Sequence, residues 1–329
     1  MNWVRYLLEL VATLPFCLLF CLLPRPWAHH LGRRMGFWAY YVSKRSRNVA
    51  IENLQSLLGL DRAEARRVAR ASLKMAGASI SDMLRAPRLT RRVVRRDIEI
   101  PNAARATLET LRRSGRGAVL ASSHFGNWEL GNLVWPFLGV PAATVIVRPV
   151  PNPLLNALLL RLRGWTGQRV IHRTGAVKRC IRGVRQGEIV MITVDVPVPP
   201  DAGAVPVDFF GLPTFTTLAA GYVAAATGTP LYMAYLLPLG KQRYRVVLEG
   251  PFEAAGQEPA REVALALTRQ VSERLEQAIR GYPEAWAWWQ KRWRIRPEGA
   301  EGDFPSYSFD ERLTWPDGTP PRQDVPTGR

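Results

Sequence analysis

A histidine and a glutamate five positions apart, His124 and Glu129, form a pair whose side chains could do acid–base chemistry. Histidine takes up a proton near neutral pH, and a carboxylate beside it can fix its tautomer and stabilise the imidazolium that forms. On one continuous helix, residues five apart point about 140° away from each other. The pair therefore predicts a general base and its orienting carboxylate only if a turn separates the two residues.

The neighbouring residues predict that turn. The apolar run Ala118 to Ala121 is typical of a buried strand, and Asn127 is a preferred helix N-cap. Glu129 would lie in the first helical turn, where a negative charge suits the positive end of the helix dipole. We therefore expect His124 on a turn between a strand and a helix. An ordinary polar turn residue before a capped helix is the alternative interpretation.

The string HFGNWE, from His124 to Glu129, resembles the HX4D/E motif of glycerolipid and lipid A acyltransferases. In particular it is similar to the late acyltransferases of lipid A biosynthesis, whose acid is glutamate. Three further blocks resemble the same family and follow in the expected order: Val147 to Asn156, Phe209 to Thr217 and Tyr282 to Gly299. The resemblance spans about Asn48 to Gly299, which is most of the chain.

Further candidates for substrate binding or for stabilising an oxyanion accompany the His–Glu pair. Arg148 directly follows an apolar run, and its permanent, forked charge suits a phosphate or a developing oxyanion. The resemblance implies an acidic residue at the end of a later strand, which Asp195 matches, although Val196 to Pro199 replace the polar residues expected after it. The complete set of these candidates is Asn127, Arg148, Asp195, Thr216 and Thr217.

Composition indicates an acidic partner. The chain has 45 Lys and Arg against 27 Asp and Glu, which gives a formal net charge of +18. Anionic lipid headgroups, an acidic carrier protein and nucleic acid all satisfy that charge. The chain has no zinc finger, RNP-like string or glycine-rich phosphate loop. Its three cysteines, Cys17, Cys21 and Cys180, have no metal-binding spacing, so neither a metal site nor a disulfide framework is expected.

The N-terminal segment predicts a membrane anchor. Leu7 to Leu23 is largely apolar, falls slightly short of a bilayer span, and is not followed by a signal-peptide cleavage site. Arginine and lysine are more frequent after this segment than before it, which predicts that the bulk of the chain lies in the cytoplasm. With the family resemblance, this implies an inner-membrane protein whose catalytic domain faces the cytoplasm. A buried core helix is the alternative. The expected organisation is an anchor (1–28), a basic helical region (29–100), a catalytic core (101–297) and a Pro/Gly-rich tail (298–329).

Short apolar runs alternate with helical patterns from Asn102 onward, which predicts an α/β fold with a mixed sheet flanked by helices. The expected strands are 117–123, 143–147, 169–172, 188–195, 231–237 and 244–249. The expected helices are 102–114, 127–138, 153–164, 176–186, 216–227 and 261–281. Sites in such sheets lie beyond the strand ends, where the turn that carries His124 is expected.

The resemblance implies a membrane-associated O-acyltransferase that moves a fatty acyl chain from acyl carrier protein to a hydroxyl of a phosphorylated glycolipid, a lipid A precursor. It implies acyl-ACP as co-substrate, no other cofactor and no nucleic-acid partner. Acceptors such as an ornithine lipid or a phosphatidylinositol mannoside would fit the same blocks. A non-enzymatic basic protein that binds membranes or nucleic acid is the alternative from another class. The sequence indicates neither the acyl-chain length nor the oligomeric state.

Overall fold

The computed structural model describes residues 2–140, 144–147, 149–253 and 258–310. Its α-helices are α1 (Trp3–Leu22), α2 (Arg25–Val42), α3 (Lys44–Leu58), α4 (Arg62–Leu84), α5 (Arg91–Asp97), α6 (Asn102–Ser114), α7 (Trp128–Val134), α8 (Pro153–Arg163), α9 (Ala176–Arg185), α10 (Ala219–Thr227) and α11 (Ala260–Gly281). Its strands are β1 (Ile98–Glu99), β2 (Ala118–Ser122), β3 (Thr144–Val147), β4 (Arg169–His172), β5 (Ile189–Thr193), β6 (Ala204–Phe209), β7 (Leu212–Thr217), β8 (Leu231–Gly240), β9 (Arg243–Phe252), β10 (Ile295–Arg296) and β11 (Phe309–Asp310).

Seven strands form the central sheet in the order β1-β9-β8-β2-β5-β3-β4. All neighbours pair in parallel except β8 and β9, which form an antiparallel hairpin. The inner strands β2 and β5 are almost continuously buried, as expected when helices cover both faces of a parallel sheet. The predicted mixed α/β fold flanked by helices is confirmed.

A small hairpin is the main departure from the predicted elements. Strands β6 and β7 pair antiparallel, outside the central sheet. The helix expected over 216–227 therefore begins only at Ala219, because the preceding residues belong to β7. Thr214, Thr216 and Thr217 are β-branched, which favours a strand, whereas the small residues from Ala219 onward form α10.

The first helix is apolar, long enough to cross a membrane and largely exposed. Its exposed side chains include Trp3, Leu8 and Leu18, which argues against a buried core helix. The α2 helix that follows packs closely on α4. A Cβ added at Gly32 would lie 2.4 Å from the backbone oxygen of Gly77, so the two helices can approach this closely only with glycine at this crossing.

The segment after the core contacts earlier elements. Strand β11 pairs in parallel with β10. The Tyr307 hydroxyl donates a hydrogen bond to the side-chain oxygen of Asn53 on α3. The expected C-terminal tail thus begins with residues that pack on the body of the protein up to Asp310.

Candidate active site

The turn that carries His124 depends on a glycine. Gly126 has a φ of +64°, and a Cβ there would lie 1.9 Å from the backbone oxygen of Leu236 on β8. The turn thus needs a residue without a side chain for both its conformation and its close approach to the sheet. Asn127 follows as the N-cap of α7, and its side-chain oxygen accepts the Leu130 amide at 3.1 Å. The predicted strand, turn and helix around His124 are confirmed.

His124 contacts Asp195, which lies past the end of the neighbouring strand. Nδ1 of the His124 ring lies 3.0 Å from Oδ1 of Asp195, and the His124 backbone amide donates to Oδ2 at 2.8 Å. The indole N–H of Trp286 donates to Oδ2 at 2.9 Å. Asp195 is fully buried, and these three donors match an ionised carboxylate. The carboxylate therefore selects the tautomer in which Nδ1 carries the proton and Nε2 is the free base.

Glu129 does not form the hydrogen bond to His124 that the sequence predicts. Its carboxylate makes a two-pronged pair with Arg163 at the end of α8, with Nε to Oε2 at 3.0 Å and Nη2 to Oε1 at 2.5 Å. A guanidinium offers two parallel donors and a permanent charge, so it binds a carboxylate more strongly than one imidazole N–H does. In the described part of the chain, the carboxylate hydrogen-bonded to the imidazole is Asp195.

The charges around His124 favour its protonated form. Burial lowers the pKa of His124, but the charge of Asp195 and its hydrogen bond raise it more, with a smaller contribution from Glu129. The pKa of His124 therefore lies above its ordinary value of 6.5. The same pairing outweighs burial at Asp195 and lowers the pKa of that carboxyl below its ordinary value. The two groups thus form a coupled pair in which the carboxylate stays charged.

One face of the imidazole remains accessible. The His124 side chain is 33% exposed although its partner Asp195 is 0% exposed. The Trp128 ring lies edge-on at 5.6 Å between centroids, and Trp289 lies beyond Trp128 at 6.4 Å. With Nδ1 occupied by Asp195, the nitrogen left for a substrate is Nε2.

A buried arginine interacts electrostatically with Asp195. Arg292 is buried, and it donates to the Thr216 hydroxyl at 3.0 Å and to the Val196 carbonyl at 3.3 Å. Its guanidinium also lies over the Phe209 ring at 4.8 Å. Burial lowers the pKa of Arg292 to about 10, an effect that the negative charge of Asp195 partly offsets. Arg292 therefore stays charged near neutral pH and helps Asp195 to remain ionised.

The polar side chains of three other sequence candidates have hydrogen-bond partners within the protein. The side chain of Asn127 is buried and satisfied: its amide donates to Asp82 at 2.7 Å and its oxygen accepts from Ser79 at 2.9 Å. Thr216 contacts Arg292, and the Thr217 hydroxyl accepts the Ala219 amide at 3.1 Å at the start of α10. These contacts give the three residues supporting positions, because their polar atoms are already used within the fold. Arg148 lies outside the described residues.

Three site residues were missed by the sequence reasoning: Arg163, Trp286 and Arg292. Trp286 and Arg292 lie in the closing block, which resembled the family, but aromatic and basic residues alternate there and no spacing singles these two out. Arg163 ends an amphipathic helix with two arginines in its last turn, which are ordinary at a helix C-terminus. Among the described residues, no group of three His, Cys, Asp or Glu side chains could hold a metal ion.

The Arg163–Glu129 pair is expected to stabilise the fold. The side chains are 25% and 6% exposed, so Arg163→Met leaves a buried carboxylate without its counter-charge. We expect this variant to lose about 3 kcal/mol in the free energy of unfolding. The double variant Glu129→Gln/Arg163→Met should recover most of that loss, because no buried charge is left. Equilibrium unfolding in neutral detergent measures both, and a double variant as unstable as Arg163→Met would contradict the pairing.

Comparison with known proteins identifies the family of the chain. A search of curated proteins finds no match. The family model described as bacterial lipid A biosynthesis acyltransferase matches residues 3–295, which include the anchor-like helix α1, the His124 turn and most of the closing block. Because that match covers nearly the whole chain, the protein belongs to the bacterial lipid A biosynthesis acyltransferase family.

Proposed function

We propose that this acyltransferase moves a fatty acyl chain from an acyl carrier protein thioester to a hydroxyl group of a lipid A precursor. The observation that carries the proposal is the accessible His124 ring, fixed through Nδ1 by the buried carboxylate of Asp195. A histidine held in this way is suited to take a proton from an alcohol. Family membership supports acyl transfer to a lipid. The carrier-protein donor and the lipid A precursor as acceptor are parts of the proposal.

In the proposed reaction, Nε2 of His124 takes the proton of the acceptor hydroxyl as its oxygen attacks the thioester carbonyl. The new C–O ester bond forms and the C–S bond breaks, and the proton passes from the imidazolium to the departing thiolate. Asp195 stays ionised and stabilises the imidazolium that exists between the two proton transfers. No acyl-enzyme is required, because the acceptor attacks the thioester directly.

Arg163 is the proposed stabiliser of the tetrahedral oxyanion. The backbone amides of Gly126, Asn127 and Glu129 donate within the protein, so they do not form an oxyanion hole. Glu129 binds Nε and Nη2 of Arg163, and the Nη1 group has no partner in the described part of the chain. Its charge is close enough to His124 to influence the pKa of the imidazole. Glu129 would thus act by holding the Arg163 guanidinium beside His124. Arg148 is a second candidate for stabilising the oxyanion.

The proposed location is the inner membrane, with the catalytic site on the cytoplasmic side. The exposed apolar helix α1 supports membrane attachment, and the basic residues that follow it support this orientation. The net charge of +18 suits both proposed substrates, because acyl carrier proteins and phosphorylated glycolipids are acidic. The proposed reaction involves no cofactor other than acyl-ACP as co-substrate.

Two measurements test the proposed substrates. Mass spectrometry of lipids from cells with and without the gene should show a lipid A species that loses one acyl chain. Purified protein should then transfer a radiolabelled acyl chain from acyl-ACP to that under-acylated species. Loss of the acyl chain from another lipid, such as an ornithine lipid, would contradict the lipid A assignment. Equal transfer from acyl-CoA would contradict the carrier-protein assignment.

The activity should fall in acid with a midpoint above pH 6.5. The base must be neutral, so kcat/KM is expected to decrease as the pH falls through the raised pKa of His124. Stability should follow the opposite sign: the contribution of protonated His124 is complete below pH 6.5 and is lost as the pH rises through the folded-state pKa. A kinetic profile measured between pH 5 and 9 checks this, and an acid midpoint below 6.5 would contradict it.

A further inference from the structure

Three neighbouring cavities lie along α2, and residues of this helix line each of them. Their volumes are about 500, 350 and 340 Å³. The first and second cavities share Lys241 and Gln242 at the tip of the β8–β9 hairpin, and the second and third share Arg33 on α2. The shared residues make the three cavities neighbours along α2, and we call them together the α2 groove.

The carboxylates in the α2 groove are already neutralised. Only Asp82 and Asp97 line it, and both are buried. The Arg25 side chain forms ion pairs with both of them, and Arg96 donates to Asp97 at 2.7 Å. The Arg25 guanidinium also donates to the backbone carbonyl of Gln242 at 3.1 Å, which fixes the hairpin tip against α2. This network forms the floor of the groove, and both of its carboxylates are paired with arginines.

Several other cations of the groove have no anionic partner within the described residues, and five of them carry the argument. Arg88 and Lys241 line the first cavity, Arg33 and Arg243 the second, and Lys74 the third. All except the partly buried Arg33 and Lys74 are exposed. Five unpaired positive charges around concave surfaces attract a multivalent anion, and arginine and lysine are the usual ligands of phosphate groups.

The groove lies where the apolar helix α1 ends. Its first wall is Pro24 to Pro26, which immediately follow α1. The Arg85 side chain, also in this wall, donates to the Phe20 carbonyl at 2.7 Å and to that of Cys21 at 3.3 Å. If α1 lies in a bilayer, the groove is at the depth of the lipid headgroups, where phosphate groups are concentrated.

The same groove is connected to the His124 turn. Asp82, which pairs with Arg25 in the floor, also accepts the side-chain amide of Asn127 at 2.7 Å. Leu130, next to Glu129 on α7, lines the first cavity. A headgroup in the groove would therefore lie against the helix that begins at the His124 turn.

We propose that the α2 groove binds the phosphate group of a membrane lipid and holds that lipid beside the catalytic turn. This rests on the proposed function in one respect: the bound lipid would be the phosphorylated acyl acceptor. The chemistry recognised is a phosphate monoester or diester attached to a lipid, and free phosphate is the competing source of the same chemistry.

Calorimetric titration of the full-length protein in a sugar-headgroup detergent tests the proposal. The probes are dihexanoyl phosphatidic acid, dihexanoylglycerol, which lacks the phosphate, and inorganic phosphate. The Arg88→Gln/Lys241→Gln variant removes two unpaired groove charges and should bind phosphatidic acid about tenfold more weakly or worse. The matched control, Arg62→Gln/Arg66→Gln, removes two exposed charges from the start of α4 and should change the affinity less than twofold.

The outcomes separate the possibilities. Phosphatidic acid binding that depends on the groove pair and exceeds the binding of the other two probes supports the proposal. Equal affinity for dihexanoylglycerol would overturn it, and inorganic phosphate binding as tightly as the lipid would overturn the lipid assignment. Equal weakening in the control pair would show a general charge effect and would also overturn it. Arg88 and Lys241 are exposed, so their replacement is expected to leave the fold intact. A melting curve that matches the wild type confirms that the variant is folded.

The binding result is independent of catalysis. His124→Ala is expected to bind phosphatidic acid as the wild-type protein does, because it leaves the groove intact. If the wild-type protein transfers acyl chains but the groove variant binds normally, the groove proposal fails and the proposed function stands. If the groove binds as expected but no acyl transfer is found, the proposed function fails instead.

Discussion

Replacing His124 by alanine is expected to lower kcat of acyl transfer by about 10²- to 10⁴-fold, the range that general-base catalysis supplies. The variant lacks the imidazole that the proposed mechanism uses to take the hydroxyl proton, which among the described residues is the one hydrogen-bonded to the buried carboxylate of Asp195. The measurement is transfer of a labelled acyl chain from acyl-ACP to an under-acylated lipid A precursor, under saturating donor and acceptor.

A matched histidine variant controls for unspecific damage. His172 is exposed at the end of β4 and its side chain takes part in none of the site contacts. His172→Ala should keep kcat within about twofold of the wild-type value, because surface substitutions away from a site usually have small effects. Near-normal turnover by His124→Ala, or equal losses in both variants, would remove His124 from the mechanism.

Asp195→Asn is expected to produce the second large loss, about 10³-fold in kcat. The carboxylate accepts hydrogen bonds from the His124 ring, the His124 amide and Trp286. An asparagine amide offers only one acceptor oxygen, and its NH₂ group would favour the tautomer in which Nδ1 lacks the proton. Steady-state kinetics measures the loss, and near-UV circular dichroism checks that the tryptophan-rich site stays packed.

Glu129→Gln is the informative comparison for Asp195→Asn. The structure places Glu129 on Arg163, so Glu129→Gln should leave the His124 tautomer unchanged and reduce kcat less than Asp195→Asn does. A pairing of His124 with Glu129, which the sequence predicts, would give the reverse order. A larger loss in Glu129→Gln, together with a His124 pKa that falls in Glu129→Gln but not in Asp195→Asn, would therefore restore the sequence-based pairing and contradict the role of Asp195.

The strand, turn and helix around His124 could be predicted because each depends on neighbouring residues. The apolar run of β2, the Gly126 turn and the Asn127 cap are local signals. The partner of His124 is set by the sheet instead. Strands β2 and β5 are parallel neighbours in which Ser122 pairs with Thr193. Two residues further along each strand are His124 and Asp195, which therefore meet at one edge, 71 positions apart in the chain.

The supporting arginines could not be predicted from their own segments. Arg163 reaches Glu129 because α8 packs near α7. Arg292 is close enough to Asp195 for their charges to interact because the closing block folds against the β6–β7 hairpin. In a chain with 45 Lys and Arg residues, composition does not show which few are buried. Burial and partners of this kind are decided by tertiary packing rather than by local propensity.

The most direct test of the central claim is to titrate His124 by NMR and compare its pKa with the acid limb of kcat/KM. The chain has only four histidines, so ¹³C-labelled histidine gives a sparse spectrum, and His124→Ala assigns the signal. The expected result is a His124 pKa above 6.5 that coincides with the kinetic midpoint, with both values lower in Asp195→Asn. A His124 signal that titrates apart from the activity, or that Asp195→Asn leaves unchanged, would contradict His124 as a base oriented by Asp195.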